Sequence, residues 1–190
     1  MLSDSLLSFK QLTLETAGTK AKLVLEKVLK RIGYIPNIYT MIANSPSLLE
    51  TYTTGDELYR KESIFSNAEK EIIYLTISRE NSCLYCVAVH STLADTMSKV
   101  PHNVTNAIRD GDEVPNEKYA ILNNFTRSMV ITRGQPSKQE IESFLSAGYS
   151  NLHILDIIHA IAVKTISNYS NHLFQTPLDP MFQKRAWNNK

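Results

Sequence analysis

Apolar positions along the chain recur every three or four residues and rarely alternate, a pattern that predicts helices from end to end. Residues 17–32, AGTKAKLVLEKVLKRI, place Leu23, Val24, Val28 and Ile32 at helical spacing with lysines between them, and Gly33 follows as a stop. The connector GYIPN leads into a short apolar segment from Ile38 to Ala43, and Pro46 opens the next, which continues through Leu48, Leu49, Tyr52 and Leu58. Ser66-Asn67-Ala68-Glu69 has the S-x-x-E form of a capping box and precedes the apolar run EIIYLTIS, so a helix begins there. Residues 81–98 predict another, capped by Asn81 or Ser82, with both cysteines in its first turn and Pro101 just past its end. Val104, Ala107 and Ile108 then precede the turn at Asp110-Gly111. From Asn116, Ala120, Ile121, Leu122, Phe125, Met129 and Val130 form an amphipathic stripe that ends near Gly134. Ser137 and Glu140 make a second capping box, Gly148 closes its helix, and the last long helix runs from about Asn151 to His172.

No strand signal competes, since TLETA and NIYTMI are short and lack a hairpin turn with an alternating partner. The expected fold class is all-α: a single domain over residues 1–190, with its motif core at 66–98 and a weaker half-repeat at 116–172. That half-repeat echoes the first in having a box, a short break and a longer helix. With 190 residues, 43% of them hydrophobic, the chain is long enough for a sizeable core. Twenty basic against nineteen acidic side chains leave a net charge of +1, so no global field draws it to nucleic acid or anionic lipid. The opening MLSDSLLSFK puts an acid before the first base and lacks a long apolar run ending in a cleavage site. The longest apolar stretches, such as CLYCVAV, fall short of the roughly 20 residues a bilayer demands. A cytoplasmic protein with no membrane span is the expectation.

The two cysteines of the chain stand together as Cys83-Leu84-Tyr85-Cys86. In a reducing compartment a pair this close points to redox or metal chemistry, because a structural staple gains most from closing a long loop. His90 follows Cys86 by one helical turn, so one helix face collects all three side chains. A first-turn cysteine lies near unpaired backbone N–H groups and the positive end of the helix dipole, which favours the thiolate and should acidify both. Two other readings stand beside this one. The thiols could be inert and buried, or they could hold zinc with His90 and with Glu71 or water, although no second Cys-x-x-Cys or spaced histidine pair completes a structural site. Glu71 lies among Ile72, Ile73 and Leu75, so its carboxylate needs a partner, whereas Glu69 and Lys70 read as surface charges. His153, Asp156 and His159 read as structural or interfacial, since a spacing of six puts the two histidines on different faces. Tyr34, Tyr39, Tyr52, Tyr59 and Tyr74 read as core or subunit-contact aromatics, one of them lining a pocket, and the tail MFQKRAWNNK as frayed or packed on a neighbour.

Glu71, eleven residues, Cys83, two residues, Cys86, three residues, His90 resembles the E-x11-C-x-x-C-x-x-x-H motif of the alkylhydroperoxidase D-like proteins in the carboxymuconolactone decarboxylase superfamily. Gly33-Tyr34-Ile35-Pro36-Asn37, Asn81-Ser82-Cys83-Leu84-Tyr85-Cys86, Gly148 and Asn168-Tyr169-Ser170-Asn171-His172 are similar to its peroxidase-related branch, over residues of about 30 to 180. The chain differs from the classical members at Tyr85, where they carry histidine and the peroxidase-related branch commonly has tyrosine, and at His172, where the family often shows arginine. The resemblance implies a helical bundle that forms homo-oligomers and a cofactor-free redox disulfide that reduces hydroperoxides with electrons from a dithiol protein or small-molecule reductant. It maps Cys86 onto the peroxide-attacking thiolate, Cys83 onto the resolving partner, and His90 with Glu71 onto a proton relay. His90 would take the proton of Cys86 directly or through water, with Glu71 orienting the imidazole. Oxidation of Cys86 to a sulfenic acid and condensation with Cys83 would follow. Two alternatives are a ring-lactone decarboxylase of the same superfamily, which works without a cysteine pair, and a non-enzymatic redox sensor or oligomeric module.

Overall fold

The structure, a computed structural model, describes residues 9–188; the opening segment read for a secretory signal lies outside them up to Ser8. Among the described residues the chain is helical throughout: α1 (Thr19–Ile32), α2 (Asn37–Ile42), α3 (Pro46–Glu62), α4 (Asn67–Glu80), α5 (Leu84–Thr96), α6 (His102–Asp110), α7 (Glu117–Ile131), α8 (Lys138–Ser146), α9 (Asn151–Phe174) and a closing 3-10 helix (Pro180–Arg185). Gly33 stops α1 in the left-handed region at φ 89°, where its N–H reaches Leu29 O at 2.8 Å. Both capping boxes form. Ser66 N–H donates to Glu69 Oε2 at 2.9 Å and Ser137 N–H to Glu140 Oε2 at 2.7 Å, each hydroxyl accepting in return from the glutamate's own N–H.

Residues 69–78 of α4 are all buried, because α5, α6, α7 and α9 pack around it. Each charged residue in this run has a partner, as burial requires. Glu69 accepts from Tyr149 Oη at 3.1 Å and pairs with Lys118 at 3.3 Å, while Lys70 Nζ donates to Arg60 O at 2.8 Å. The surface reading of these two residues is therefore corrected: α4 is enclosed on every side, and their partners draw both side chains inward. One contiguous core links Val24 and Leu25 of α1, Ile72 and Ile77 of α4, and Ile157 and Val163 of α9. On α1 the buried stripe is Ala21, Val24, Leu25 and Val28, so Leu23 and Ile32 turn outward instead of joining it.

The link from α4 to α5 sets the site. Asn81 N–H closes α4 on Ile77 O at 3.0 Å, Ser82 adopts φ 54°, and Cys83 N–H bonds to Ser78 O at 2.9 Å. With the first two residues used to end one helix and reverse the chain, the cap of α5 is Cys83 rather than Asn81 or Ser82. Cys86 is then the third residue of α5, and the two helices run back antiparallel from this turn. α9 crosses the same region. Gly55 on α3 permits the approach, since a Cβ there would meet Val163 Cγ2 at 3.0 Å. His159 Nε2 holds Gly55 O at 3.0 Å, His153 Nδ1 accepts from Ser150 N–H at 3.0 Å, and Asp156 accepts from Ile64 N–H at 2.9 Å.

Up to residue 188 the C-terminal segment packs on its own chain, and the last two residues of the tail lie outside the described residues. Phe182 and Trp187 are buried, Arg109 grips Arg185 O at 2.9 Å and Ala186 O at 3.2 Å, and Arg185 pairs with Asp95 at 3.1 Å. Asp179 accepts from Tyr85 Oη at 2.5 Å and from Asn37 N–H at 3.1 Å, tying this strap to α5 and α2. The echo between halves lies in the caps and not in helix length: α5 has 13 residues against 14 in α4, whereas α9 has 24 against 9 in α8. No helix among the described residues is long and apolar enough to cross a membrane.

Candidate active site

Cys83 and Cys86 are free thiols, 0% and 3% exposed. The two thiols perturb each other's ionisation, so that the anion forms on one at the expense of the other. Asn171 Nδ2 on α9 reaches across both, 3.2 Å from Cys86 Sγ and 3.8 Å from Cys83 Sγ, and Ser167 Oγ lies 3.9 Å from Cys86. Burial opposes ionisation of Cys86, yet the Cys83 thiol, Lys164, His90 and Asn171 together outweigh it and hold its pKa well below the ordinary thiol range. Cys83 goes the other way: burial and the neighbouring Cys86 push it up. The expectation that both would be acidified is thus corrected, because an anion on one of two neighbouring buried thiols opposes ionisation of the other.

Behind the sulfurs runs a chain of buried charges. Glu71 on α4 receives Arg60 Nη1 at 2.8 Å on one oxygen and His90 Nδ1 at 2.8 Å on the other. Arg60 Nε also holds Asp56 Oδ1 at 3.1 Å, whose second oxygen faces Arg31 at 3.4 Å. Although burial works against its charge, Arg60 and His90 hold Glu71 down at about 2. His90 Nε2 is met by Lys164 Nζ at 2.7 Å, and the Lys164 ammonium also sits 5.2 Å from the centre of the Tyr74 ring. An ammonium only donates, so this network assigns the proton of His90 to Nδ1, pointing at Glu71, and leaves Nε2 as acceptor. Burial and Lys164 push the imidazole pKa down against the pull of Glu71, which keeps the ring neutral.

All four sequence-derived residues therefore gather in one place, but the contacts differ from the expected relay. Glu71 meets His90 Nδ1, and the other ring nitrogen is engaged by Lys164. Sequence reasoning missed Lys164, Arg60 and Asp56, and it named Asn171 only as part of the segment 168–172, without a role at the cysteines. A signal existed for Lys164: it is the one charged residue on the buried side of α9, among Ile157, Ala160, Val163 and Ser167, and it is 1% exposed. Nothing in the local sequence tied it to His90.

A cavity of about 440 Å³ opens onto this array. Cys86, His90, Lys164, Asn171 and Arg60 form its polar side, and Tyr39, Tyr52, Tyr85, Val89, Leu93, Met97 and Phe182 are among its apolar and aromatic walls. Cys83 is not part of the lining and sits behind Cys86. Of the five tyrosines singled out by sequence, Tyr34, Tyr39 and Tyr52 line the cavity, while Tyr59 and Tyr74 stack in the core at 4.7 Å. No group of three or more His, Cys, Asp and Glu side chains among the described residues is placed to hold a metal ion.

A solved alkylhydroperoxidase AhpD core, an uncharacterized peroxidase-related protein from Ralstonia eutropha JMP134, superposes on this chain with a TM-score of 0.79 over 92% of this chain and 93% of that one. The chain has the AhpD-like fold. Sequence identity in that pair is 19%. An uncharacterized peroxidase-related protein from Silicibacter sp. TM1040 matches with a TM-score of 0.77 at 16% identity, covering 95% of each chain. The debrominase Bmp8, as a cysteine-to-alanine variant in complex with 2,3,4-tribromopyrrole, matches with a TM-score of 0.76 at 18% identity, covering 96% of this chain and 97% of its own. No protein-family profile and no curated protein sequence matches the chain. At these identities the likeness establishes the AhpD-like architecture, and the chemistry rests on the site itself.

Proposed function

We propose that the protein is a thiol-dependent hydroperoxide reductase that cycles Cys83 and Cys86 between two thiols and a disulfide. One observation carries this reading: Cys86 lines the cavity beside His90 and Lys164 with Asn171 Nδ2 at 3.2 Å, while Cys83 is buried and outside the lining. An entering peroxide meets the nucleophile first and the resolving thiol second. Attack by Cys86 breaks the O–O bond and leaves a sulfenic acid; Cys83 condenses with it, water departs, and the sulfur is shielded from further oxidation. A dithiol reductant, protein or small molecule, then reopens the bridge, which suits a reducing compartment such as the cytoplasm. The oligomer is supported by α9, where every exposed residue after Asn151 is apolar: Leu152, Leu155, Ile158, Ala162, Tyr169 and Leu173. A solvent face this long without a charge fits burial against a second copy of the chain.

Turnover of cumene hydroperoxide with dithiothreitol tests the reading. Cys86→Ser abolishes turnover, while Cys83→Ser halts recycling after one event and leaves a trappable sulfenic acid on Cys86. Undiminished turnover in both variants refutes it.

The cavity favours a second reading. Its volume of about 440 Å³ and its tyrosine walls exceed the needs of a small peroxide and suit a flat aromatic ring. Because the fold neighbour Bmp8 is a debrominase, reductive dehalogenation by the same thiol pair is the competing activity. Bromide release from 2,3,4-tribromopyrrole in the presence of dithiothreitol separates the two.

A further inference from the structure

Lys164 has no carboxylate partner. Its ammonium, 1% exposed, reaches the neutral His90 Nε2 at 2.7 Å and the face of Tyr74, and no acidic side chain pairs with it among the described residues. The other cations of the site have carboxylates of their own, Arg31 with Asp56 and Glu57, and Arg60 with Asp56 and Glu71. A buried cation left over from such pairing requires an anion nearby. The remaining group able to supply one is the Cys86 sulfur, which lines the same cavity and feels the lysine charge directly. Tyr52 and Tyr74 do not compete, since burial drives both phenols well above their ordinary range. An ammonium carries three donors, and His90 takes one, so protons remain for whatever enters the cavity.

We propose that Lys164 is the acid of this site: counter-ion to the Cys86 thiolate in the reduced protein, it hands a proton to the oxygen that leaves when Cys86 attacks a hydroperoxide. This inference rests on the hydroperoxide-reductase reading and assigns a group that the sequence motif does not contain. His90 becomes a positioning residue, held by Glu71 so that Nε2 aims the ammonium. The thiolate gives an electron pair to the terminal peroxide oxygen, the O–O bond breaks, and the departing alkoxide takes a proton from Nζ. The products are a sulfenic acid on Cys86, an alcohol, and Lys164 as the amine; sulfur has been oxidised and the peroxide reduced. Cys83 then attacks the sulfenic sulfur, the S–OH bond breaks, and the hydroxide leaves as water with the Cys83 proton. When a dithiol reopens the bridge, one of its hydrogens returns to Cys83 and the other to Lys164, while Cys86 regains its negative charge. The cycle closes with no proton drawn from solvent, and Lys164 and Cys86 together carry no net charge in either redox state.

Two readings on the full-length protein in a Cys83→Ser background test this: the pH profile of Cys86 alkylation by iodoacetamide, and single-turnover oxidation of Cys86 by cumene hydroperoxide followed by dimedone trapping. Lys164→Met should move the alkylation profile up by about 1–3 pH units and slow oxidation at neutral pH by about a hundredfold or more. Lys164→Arg keeps the charge but holds its proton too tightly to give it up. Its alkylation profile should stay near that of the parent while oxidation slows, a split that general damage to the site would not produce. An unshifted profile with unimpaired oxidation in Lys164→Met overturns the proposal; should that variant not fold, Lys164→Arg oxidising as fast as the parent overturns it equally. If the parent alkylates as a thiolate yet ignores hydroperoxide, the reductase reading itself fails, and that result appears before any Lys164 variant is compared.

Discussion

Glu71 shows how this protein keeps charge inside a helical core. Its carboxylate is 2% exposed and remains ionised because Arg60 and His90 each occupy one oxygen. A carboxyl held at about 2 against an ordinary 4.5 adds stability that is fully present above 4.5 and is lost as pH falls toward 2. The shift corresponds to stabilisation on the order of 3 kcal/mol. Urea unfolding followed between pH 5 and pH 2 should therefore show a steeper loss of stability in the parent than in Glu71→Gln; equal slopes would remove Glu71 from the account. Cys86 obeys the same sign rule, so its alkylation rate should reach its plateau at a lower pH than that of an ordinary thiol and fall as pH is lowered further. Glu71, Cys83, Cys86 and His90 were legible in the sequence because they lie within twenty residues on two consecutive helices joined by a tight turn. The contacts of Lys164 and Asn171 were not: these residues stand 74 residues from His90 and 85 from Cys86, and only the crossing of α9 brings them in.

At the scale of elements, the caps were readable and the strap was not. Capping boxes at Ser66 and Ser137 are local devices, four residues long, that form in the structure as their spacing predicts. Ser66→Ala should cost about 1 kcal/mol in a denaturation midpoint measurement. By contrast, residues 175–188 carry no period, and their order comes from distant partners: Phe182 and Trp187 buried, Arg109 on two carbonyls, Asp179 on Tyr85 and Asn37. Tyr85 lies between the two cysteines, so its bond to Asp179 ties the redox turn to the strap, and Phe182 supplies a wall of the cavity. Asp179→Ala should free the strap, seen as faster proteolytic clipping of the C-terminal segment with the helical content unchanged. A clipping rate equal to that of the parent would show that the tether contributes nothing.

For the molecule as a whole, the all-α class was plain from periodicity, since long helical stripes leave no room for strands. Which stripes face inward was harder. Leu23 and Ile32 read like Val24 and Val28, and the apolar row on α9 reads like core although Leu152, Leu155 and Ile158 are exposed in the single chain. An apolar face looks the same in sequence whether its own chain or a second copy covers it. Light scattering should accordingly give a mass that is a multiple of 21.5 kDa. Leu155→Glu should lower it, and a monomeric parent would contradict the oligomer. The redox reading depends on the chemistry at the end of the cavity, and its most direct test is mass spectrometry of thiol-labelled, fully reduced protein before and after one equivalent of cumene hydroperoxide. The account predicts that both thiols become unavailable to label together through a Cys83–Cys86 disulfide, and that Cys83→Ser instead carries a single added oxygen on Cys86. Two thiols still open to label after the dose, or an oxygen found first on Cys83, would contradict it.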